Sequence, residues 1–145
     1  MLENFKRKKD DAKRISLLAD AAVEWWAKKI SGEEPHDNGS NDFTSFAACR
    51  MADMGRKKIT EKQLFVFKEV LRGEIKVSKR KCDCLILDCD YGPDKNLGFA
   101  AEQAGINFLN FPFKTWMAIK DDKIEVHEGY AAPEKVIFEI TEKMQ

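Results

Sequence analysis

The sequence lacks a net charge, a long apolar run and a leader segment, and each absence excludes a class of protein. Its 25 Lys and Arg residues equal its 25 Asp and Glu residues, so the whole molecule has no field that would attract nucleic acid or an anionic membrane. No stretch is apolar enough to span a bilayer, and no charged and then apolar segment opens the chain. We therefore expect a soluble, cytoplasmic protein with no membrane partner, in which any role for charge depends on local clusters.

Recognised catalytic motifs are also missing. The stretch YGPDKNLG follows an apolar segment, but its glycines are in the wrong places for a phosphate-binding loop. Cysteine is scarce, with 4 in the chain, and none stands in a sequence typical of a Cys-His nucleophile. Cys82 and Cys84 are too close on one predicted strand to form a disulfide. These absences favour a protein that is not an enzyme and that needs no cofactor.

The chain does contain enough apolar material for one folded domain. Of its 145 residues 43% are hydrophobic, including 10 Phe, which excludes a disordered chain. We expect a single domain over residues 1–145. Residues 1–12 are too basic and polar to be buried and should form an arm. Residues 33–42, rich in Pro, Gly, Asn and Asp, should form a flexible loop.

The apolar pattern predicts an α+β fold that begins with about three helices. Residues 5–30 carry an apolar stripe at steps of three and four residues, and a shorter stripe at residues 43–54 predicts a second helix. Thr60 and Gln63 form a capping-box pattern that opens a third helix. That helix should end near Gly73 or one turn later.

The second half of the chain predicts a strand, a helix and a hairpin that together form a small sheet. CDCLILDCDY has the length and composition of a strand, and a helix should run from Pro93 to a cap at Gly105. The terminal segment APEKVIFEITEKM predicts a helix, with an edge strand as the alternative.

The stretch TWMAIKDDKIEVHE predicts a hairpin with a defined register. With Asp121 and Asp122 as a two-residue turn, four apolar side chains share one face, and a three-residue bulged turn is the alternative. The pairs on that face are Ile119 with Ile124 and Met117 with Val126. The pairs on the other face are Trp116 with His127, Ala118 with Glu125 and Lys120 with Lys123. A slip by one residue would mix the two faces.

The second hairpin face carries a candidate partner-binding patch. Its residues are Trp116, His127, Tyr130 and Lys114, and Trp and Tyr side chains dominate binding hot spots and also stack on bases. The alternative, common in α+β domains, is that the long N-terminal helix or the C-terminal helix covers this face and that His127 is simply packed.

Nucleic-acid binding through local basic clusters is a second hypothesis. The clusters would form a phosphate-binding surface if the fold brings them to one side, and solvated helix ends are the alternative. The residues concerned are Lys8, Lys9, Arg56, Lys57, Lys58, Lys79, Arg80 and Lys81.

Two sets of side chains are candidate metal ligands. Zinc prefers thiolates and imidazoles, but the cysteine spacing does not match a usual zinc knuckle, and buried cysteine acting as a small apolar residue is the alternative. The cysteines are Cys82, Cys84, Cys89 and Cys49. A metal-dependent nuclease or phosphodiesterase would use Asp88 and Asp90, with Glu125 and Lys123 from the hairpin. Otherwise the two aspartates shape the turn into the next helix.

Two stretches carry a resemblance: ADAAVEWWAKKI, and DYGPDKNLGFAAEQAGINFLNFPFKTWMAIKDDKIEVHEGYAAP. They are similar to small, mostly uncharacterised proteins of bacteriophages and prophages of Gram-positive bacteria. The resemblance implies a non-enzymatic accessory protein in the cytoplasm of a bacterial host, which binds a host protein and inhibits a defence system such as CRISPR-Cas. The paired Trp25 and Trp26 would serve the core or a homodimer interface.

Overall fold

The computed structural model describes residues 2–32, 58–129 and 132–141, with the side chains of the first helix described from Lys8 onward. The element bounds are α1 Leu2–Ser31, α2 Glu61–Lys79, β1 Leu85–Cys89, α3 Lys95–Ala104, a 3-10 turn Phe108–Asn110, β2 Thr115–Ile119, β3 Lys123–Glu128 and β4 Lys135–Glu139. The fold is α+β, as predicted, and α1 and α2 precede the sheet. The helix predicted at residues 43–54 and the loop predicted at residues 33–42 lie outside the described residues.

The helices α1 and α2 pack side by side in opposite directions. Asp20 pairs with Arg72 at 2.7 Å, and one turn along, Glu24 pairs with Lys68 at 3.3 Å. These two ion pairs show that the helices are antiparallel. The apolar stripe predicted for α1 is buried at Leu18, Ala19, Ala22, Val23, Trp26 and Ile30. The side chains at positions 8–13, before this stripe, are exposed.

The capping box predicted at the start of α2 is confirmed. The Gln63 amide donates to the Thr60 hydroxyl at 3.1 Å, and the Thr60 amide donates to the Gln63 side chain at 3.0 Å. The predicted end near Gly73 or one turn later is too early, because the helix continues to Lys79. Ile75 is fully buried in the core, and its burial outweighs the low helix propensity of the glycine at position 73.

The helices cover one face of the sheet. Phe111 lies between them, with its ring centroid 6.3 Å from that of Trp26 and 6.0 Å from that of Phe67. The buried Asn110 side chain donates to the carbonyl of Ile30, which satisfies a group at the end of α1. The sheet contributes Leu85, Leu87, Cys89, Met117, Ile119, Ile124 and Val126 to the same core. Within the described residues no helix is long and apolar enough to cross a membrane.

The four strands lie in the order β1-β2-β3-β4, and every neighbouring pair is antiparallel. The predicted hairpin register is confirmed in full, including the pair of Trp116 with His127 and the pair of Ala118 with Glu125. Next to the two-residue turn, the Lys120 amide donates to the Lys123 carbonyl at 2.9 Å. Alternation of apolar and polar side chains therefore determined this register, because a slip would have exposed the apolar face.

The helix predicted for the terminal segment is wrong, and its alternative, an edge strand, is what forms. In β4, Phe138 pairs with Ile124 and Val136 pairs with Glu125, so Ile137 is an extra residue that bulges out of the ladder. The Ile140 amide, just after β4, donates to the Asp122 carbonyl at 2.8 Å. The run of branched and aromatic residues favours a strand wherever a sheet edge is available to pair with it.

The first strand is shorter than predicted, because it begins at Leu85 and leaves both Cys82 and Cys84 in the turn before it. At its other end, Asp94 caps α3, accepting a hydrogen bond from the Leu97 amide at 3.0 Å and another from the Asp88 amide at 2.8 Å. The helix α3 therefore begins after Asp94, two residues later than predicted, and it ends at the predicted cap, Gly105, with φ 70°.

Candidate binding surface on the sheet

The sheet face that points away from the helices is the candidate site. We call it the outer face and define it by Ile86, Asp88, Trp116, Ala118, Glu125 and His127, which alternate along their strands with core residues. The strand register arranges these side chains in two rows. One row runs Asp88, Trp116, His127, and the next runs Ile86, Ala118, Glu125.

Trp116 and His127 stack face to face, with ring centroids 4.4 Å apart and an angle of 13° between the planes. They are directly opposite each other on β2 and β3, where cross-strand side chains come into contact. The His127 ring is also held at its edge, since Nε2 lies 3.1 Å from a carboxylate oxygen of Glu134. Both rings are half-buried, so their orientation is fixed before any partner arrives.

Glu125, at the centre of the outer face, is neutralised by two lysines. Its carboxylate lies 3.1 Å from the ammonium groups of both Lys120 and Lys123, and its side chain is only 5% exposed. These hydrogen bonds lower the pKa of Glu125 from 4.5 to about 2. The same contact raises the pKa of Lys123. The cluster therefore has one carboxylate held between two ammonium groups, and the lysine stems cover it.

Apolar side chains are exposed next to this cluster. Ile86 is 48% exposed and lies at the β1 end of the row that contains Glu125. Beyond the end of β1, Tyr91 is 71% exposed and contacts the edge of the Phe113 ring, with centroids 6.1 Å apart. The outer face thus combines a fixed aromatic pair with accessible apolar area.

Lys114 joins three loops at the aromatic end of this face. It has a φ of 53°, which is strained for a residue other than glycine. Its amide donates to the Asp90 carbonyl at 2.8 Å, and its carbonyl accepts from the Gly129 amide at 2.8 Å. Of the four predicted patch residues, Trp116 and His127 are in contact, and Lys114 lies two positions before Trp116. The fourth, Tyr130, lies outside the described residues.

The structure does not assemble the predicted metal-dependent nuclease site. Glu125 and Lys123 are bonded to each other, and Asp88 is on β1, two strands away from Glu125 and one row along. Neighbouring strands are about 4.8 Å apart, so roughly 10 Å separates β1, which carries Asp88, from β3, which carries Glu125. In the described ranges, no group of three or more His, Cys, Asp or Glu side chains could hold a metal ion.

The cysteines are also dispersed. Cys82 and Cys84 are exposed in the turn before β1, whereas Cys89 is 1% exposed at the opposite end of that strand, and Cys49 lies outside the described residues. Burial, with the nearby carboxylates of Asp88, Asp94 and Asp90, raises the pKa of the Cys89 thiol to about 12. Cys89 therefore acts as a small apolar core residue. The expectation that the protein needs no cofactor stays a prediction.

The basic clusters divide between the two ends of α2. Lys58 lies just before its start, while Lys79, Arg80 and Lys81 lie at its end, close to the α1 turns that follow Lys8 and Lys9. Arg56 and Lys57 are outside the described residues. The Lys79 ammonium is fully occupied, since it donates to the carbonyls of Cys82 and Asp83 and pairs with Asp121 at 2.6 Å.

The paired tryptophans have different environments. Trp26 is completely buried in the core, and Trp25 meets it edge to face with centroids 4.9 Å apart. Trp25 is half-buried, and the Lys29 ammonium lies 5.3 Å from its ring centroid. Of the two roles proposed for this pair, Trp26 has the core role.

Ile86 and Glu134 contribute to the outer face but were not among the predicted patch residues. Ile86 and Asp88 are two positions apart in one strand and therefore lie on the same face, so the sequence could have predicted that Ile86 belongs to the outer face. Nothing in the sequence indicated that Glu134 would reach His127. A scan of protein-family models and a search of curated proteins each found no match to this chain.

Proposed function

We propose that this chain is a non-enzymatic binding protein that docks a partner protein on the outer face. The observation that supports this most directly is the Trp116 and His127 stack, a pre-oriented aromatic pair with the exposed Ile86 in the next row. Aromatic side chains that are already fixed lose little conformational freedom on binding, and they recur at the centres of protein interfaces.

The charges around the stack favour a particular partner chemistry. Asp88 lies beside Trp116 in the same row, and Glu134 lies against His127. Two carboxylates on either side of an aromatic pair complement an apolar anchor side chain flanked by Lys or Arg. A nucleic acid is disfavoured here, because each stacked ring already has one face covered and the flanking carboxylates repel phosphate.

The resemblance to phage and prophage proteins suggests where such a partner would be found. A small protein without chemistry of its own acts by occupying a surface of a host protein, and bacterial defence proteins, CRISPR-Cas components among them, are the class we propose to test first. A basic surface on such a component would match the acidic flanks of the stack.

The test has two stages. A photoreactive amino acid at position 86 identifies the partner by cross-linking in the bacterial host, and binding of the purified partner is then measured by calorimetry. We expect Trp116→Ala to weaken binding at least about thirtyfold, which is the ~2 kcal/mol of a hot-spot residue. Phe65→Ala is the matched control, since Phe65 is 65% exposed on α2, and it should change binding less than about twofold.

A second variant separates binding from folding. Ile86→Glu changes a residue that is 48% exposed, so the free energy of unfolding should stay the same while binding is lost. If Ile86→Glu and a folded Trp116→Ala both bind the partner as the unchanged protein does, the outer face is not the docking surface and the proposal is wrong.

A further inference from the structure

A second surface, at the opposite end of the sheet from the stack, is basic. Because α1 and α2 run antiparallel, the early turns of α1 meet the turn that joins α2 to β1. A cleft of about 470 Å³ lies between them. Its walls include Asp11, Arg14, Arg80, Lys81 and Asp83, and it also reaches Asp121 in the hairpin turn.

Several charges in this cleft already have partners. Lys79 pairs with Asp121, with only 4% of the lysine side chain exposed, and it holds the turn together through two backbone carbonyls. Arg14 lies 3.9 Å from Asp11, one turn away on α1. Each of these two pairs has no net charge. Lys79 also stabilises the turn through its hydrogen bonds to the two carbonyls.

The remaining charge is mostly positive. Arg80 and Lys81 are exposed in the turn, and Lys8 and Lys9 are exposed on the adjoining turns of α1. None of these four cations has an ion pair within the described residues. Arg80 and Lys81 line the cleft, and Lys8 and Lys9 lie on α1 within one turn of Asp11, which forms part of its wall, although the formal charge of the whole chain is zero.

We infer that this cleft binds the phosphate backbone of a nucleic acid through Lys8, Lys9, Arg80 and Lys81. Lysine and arginine on two separate elements can contact successive phosphates, and each contact releases condensed counterions. Recognition of this kind depends on charge and spacing and not on base sequence. The inference does not rest on the proposed function, because the two surfaces share none of these residues.

The experiment measures binding of the full-length chain to fluorescently labelled single-stranded DNA, duplex DNA and RNA by anisotropy, from about 50 to 200 mM salt. With four contacts to duplex, the slope of log K against log salt should be about −3.6. The double variant Arg80→Ala with Lys81→Ala should weaken binding at least about tenfold and should reduce the slope by about two. Lys58→Ala is the matched control, an exposed cation at the other end of α2 that should leave both values unchanged.

A second double variant, on α1, separates loss of binding from loss of folding. Lys8→Ala with Lys9→Ala changes only exposed side chains of α1 and should also reduce the slope by about two. The inference is wrong if the protein binds none of the three nucleic acids at low salt, or if both double variants keep the original slope. Equal affinity for polyglutamate would also overturn it, since that result indicates an acidic protein as the ligand.

Discussion

Lys29 on α1 and Glu128 on β3 form an ion pair of 2.5 Å that fixes the sheet to the helical layer directly behind the Trp116 and His127 stack. The lysine side chain is 7% exposed and the glutamate side chain is 22% exposed. Because Glu128 follows His127 in the strand, the pair fixes from the core side the same stretch of backbone that presents the stack on the other side.

The first prediction concerns this ion pair. Lys29→Met leaves Glu128 partly buried without its lysine, and we expect the free energy of unfolding to fall by about 2–3 kcal/mol, below the full cost for a completely buried charge because Glu128 retains some water. The double variant Lys29→Met with Glu128→Gln should recover part of that loss. Chemical denaturation of all three proteins completes the cycle, and strictly additive losses would contradict the pairing.

The second prediction is a pH dependence that comes from Glu125. Its pKa in the folded chain, about 2, is below its ordinary 4.5, so the stabilisation it provides is complete above pH 4.5 and is lost as the pH falls from 4.5 toward 2. Over that window the unchanged protein should therefore lose free energy of unfolding more steeply than Glu125→Gln. Urea titrations at several pH values measure both slopes.

The control for that measurement is Glu102→Gln. Glu102 is exposed on α3 and forms no ion pair within the described residues, so its slope should match that of the unchanged protein. Parallel slopes for the unchanged protein and Glu125→Gln would mean that the two lysines do not hold the carboxylate in solution.

The third prediction concerns thiol reactivity. Cys82 and Cys84 are exposed, whereas Cys89 is buried with its pKa raised to about 12, so little thiolate forms on Cys89 at mildly alkaline pH. Iodoacetamide should label either exposed cysteine at least about a hundredfold faster than Cys89, as measured by peptide mass mapping over time. In denaturant the three rates should converge. Fast labelling of Cys89 in the folded protein would indicate that the end of β1 opens.

The fourth prediction tests the cap of α3. Asp94 accepts hydrogen bonds from the amides of Leu97 and Asp88, and removing both acceptors with Asp94→Ala should lower the free energy of unfolding by about 2 kcal/mol. Asp94→Asn keeps one acceptor oxygen and should lose roughly half as much. Equal losses for the two variants would show that charge, and not the paired hydrogen bonds, accounts for the effect.

The hairpin could be predicted because two constraints agreed. A two-residue turn between Lys120 and Lys123 and strict alternation on both sides admit one register in which all apolar side chains share a face. The terminal segment had no such agreement, since Val136, Ile137 and Ile140 fit a helical spacing as well as a strand. This segment forms a strand because it can pair with the free edge of β3. That pairing is a tertiary interaction, so the local sequence does not predict it.

The candidate site was predictable in part for the same reason. The pair of Trp116 and His127 follows from the hairpin alone, and so does the opposition of Ala118 and Glu125. The partners that come from outside the hairpin do not follow from it. Glu134 lies near His127 only because β4 pairs with β3, and Ile86 joins the face only because β1 pairs with β2.

The bulge at Ile137 limits how this sheet can grow. A regular edge strand offers alternate amide and carbonyl groups that another chain can extend, but one extra residue puts the two halves of β4 out of step with each other. The charged Lys135 and Glu139 stand at the two ends of that strand. A foreign strand could match only one half of β4 at a time, so this edge is a poor template for a fifth strand.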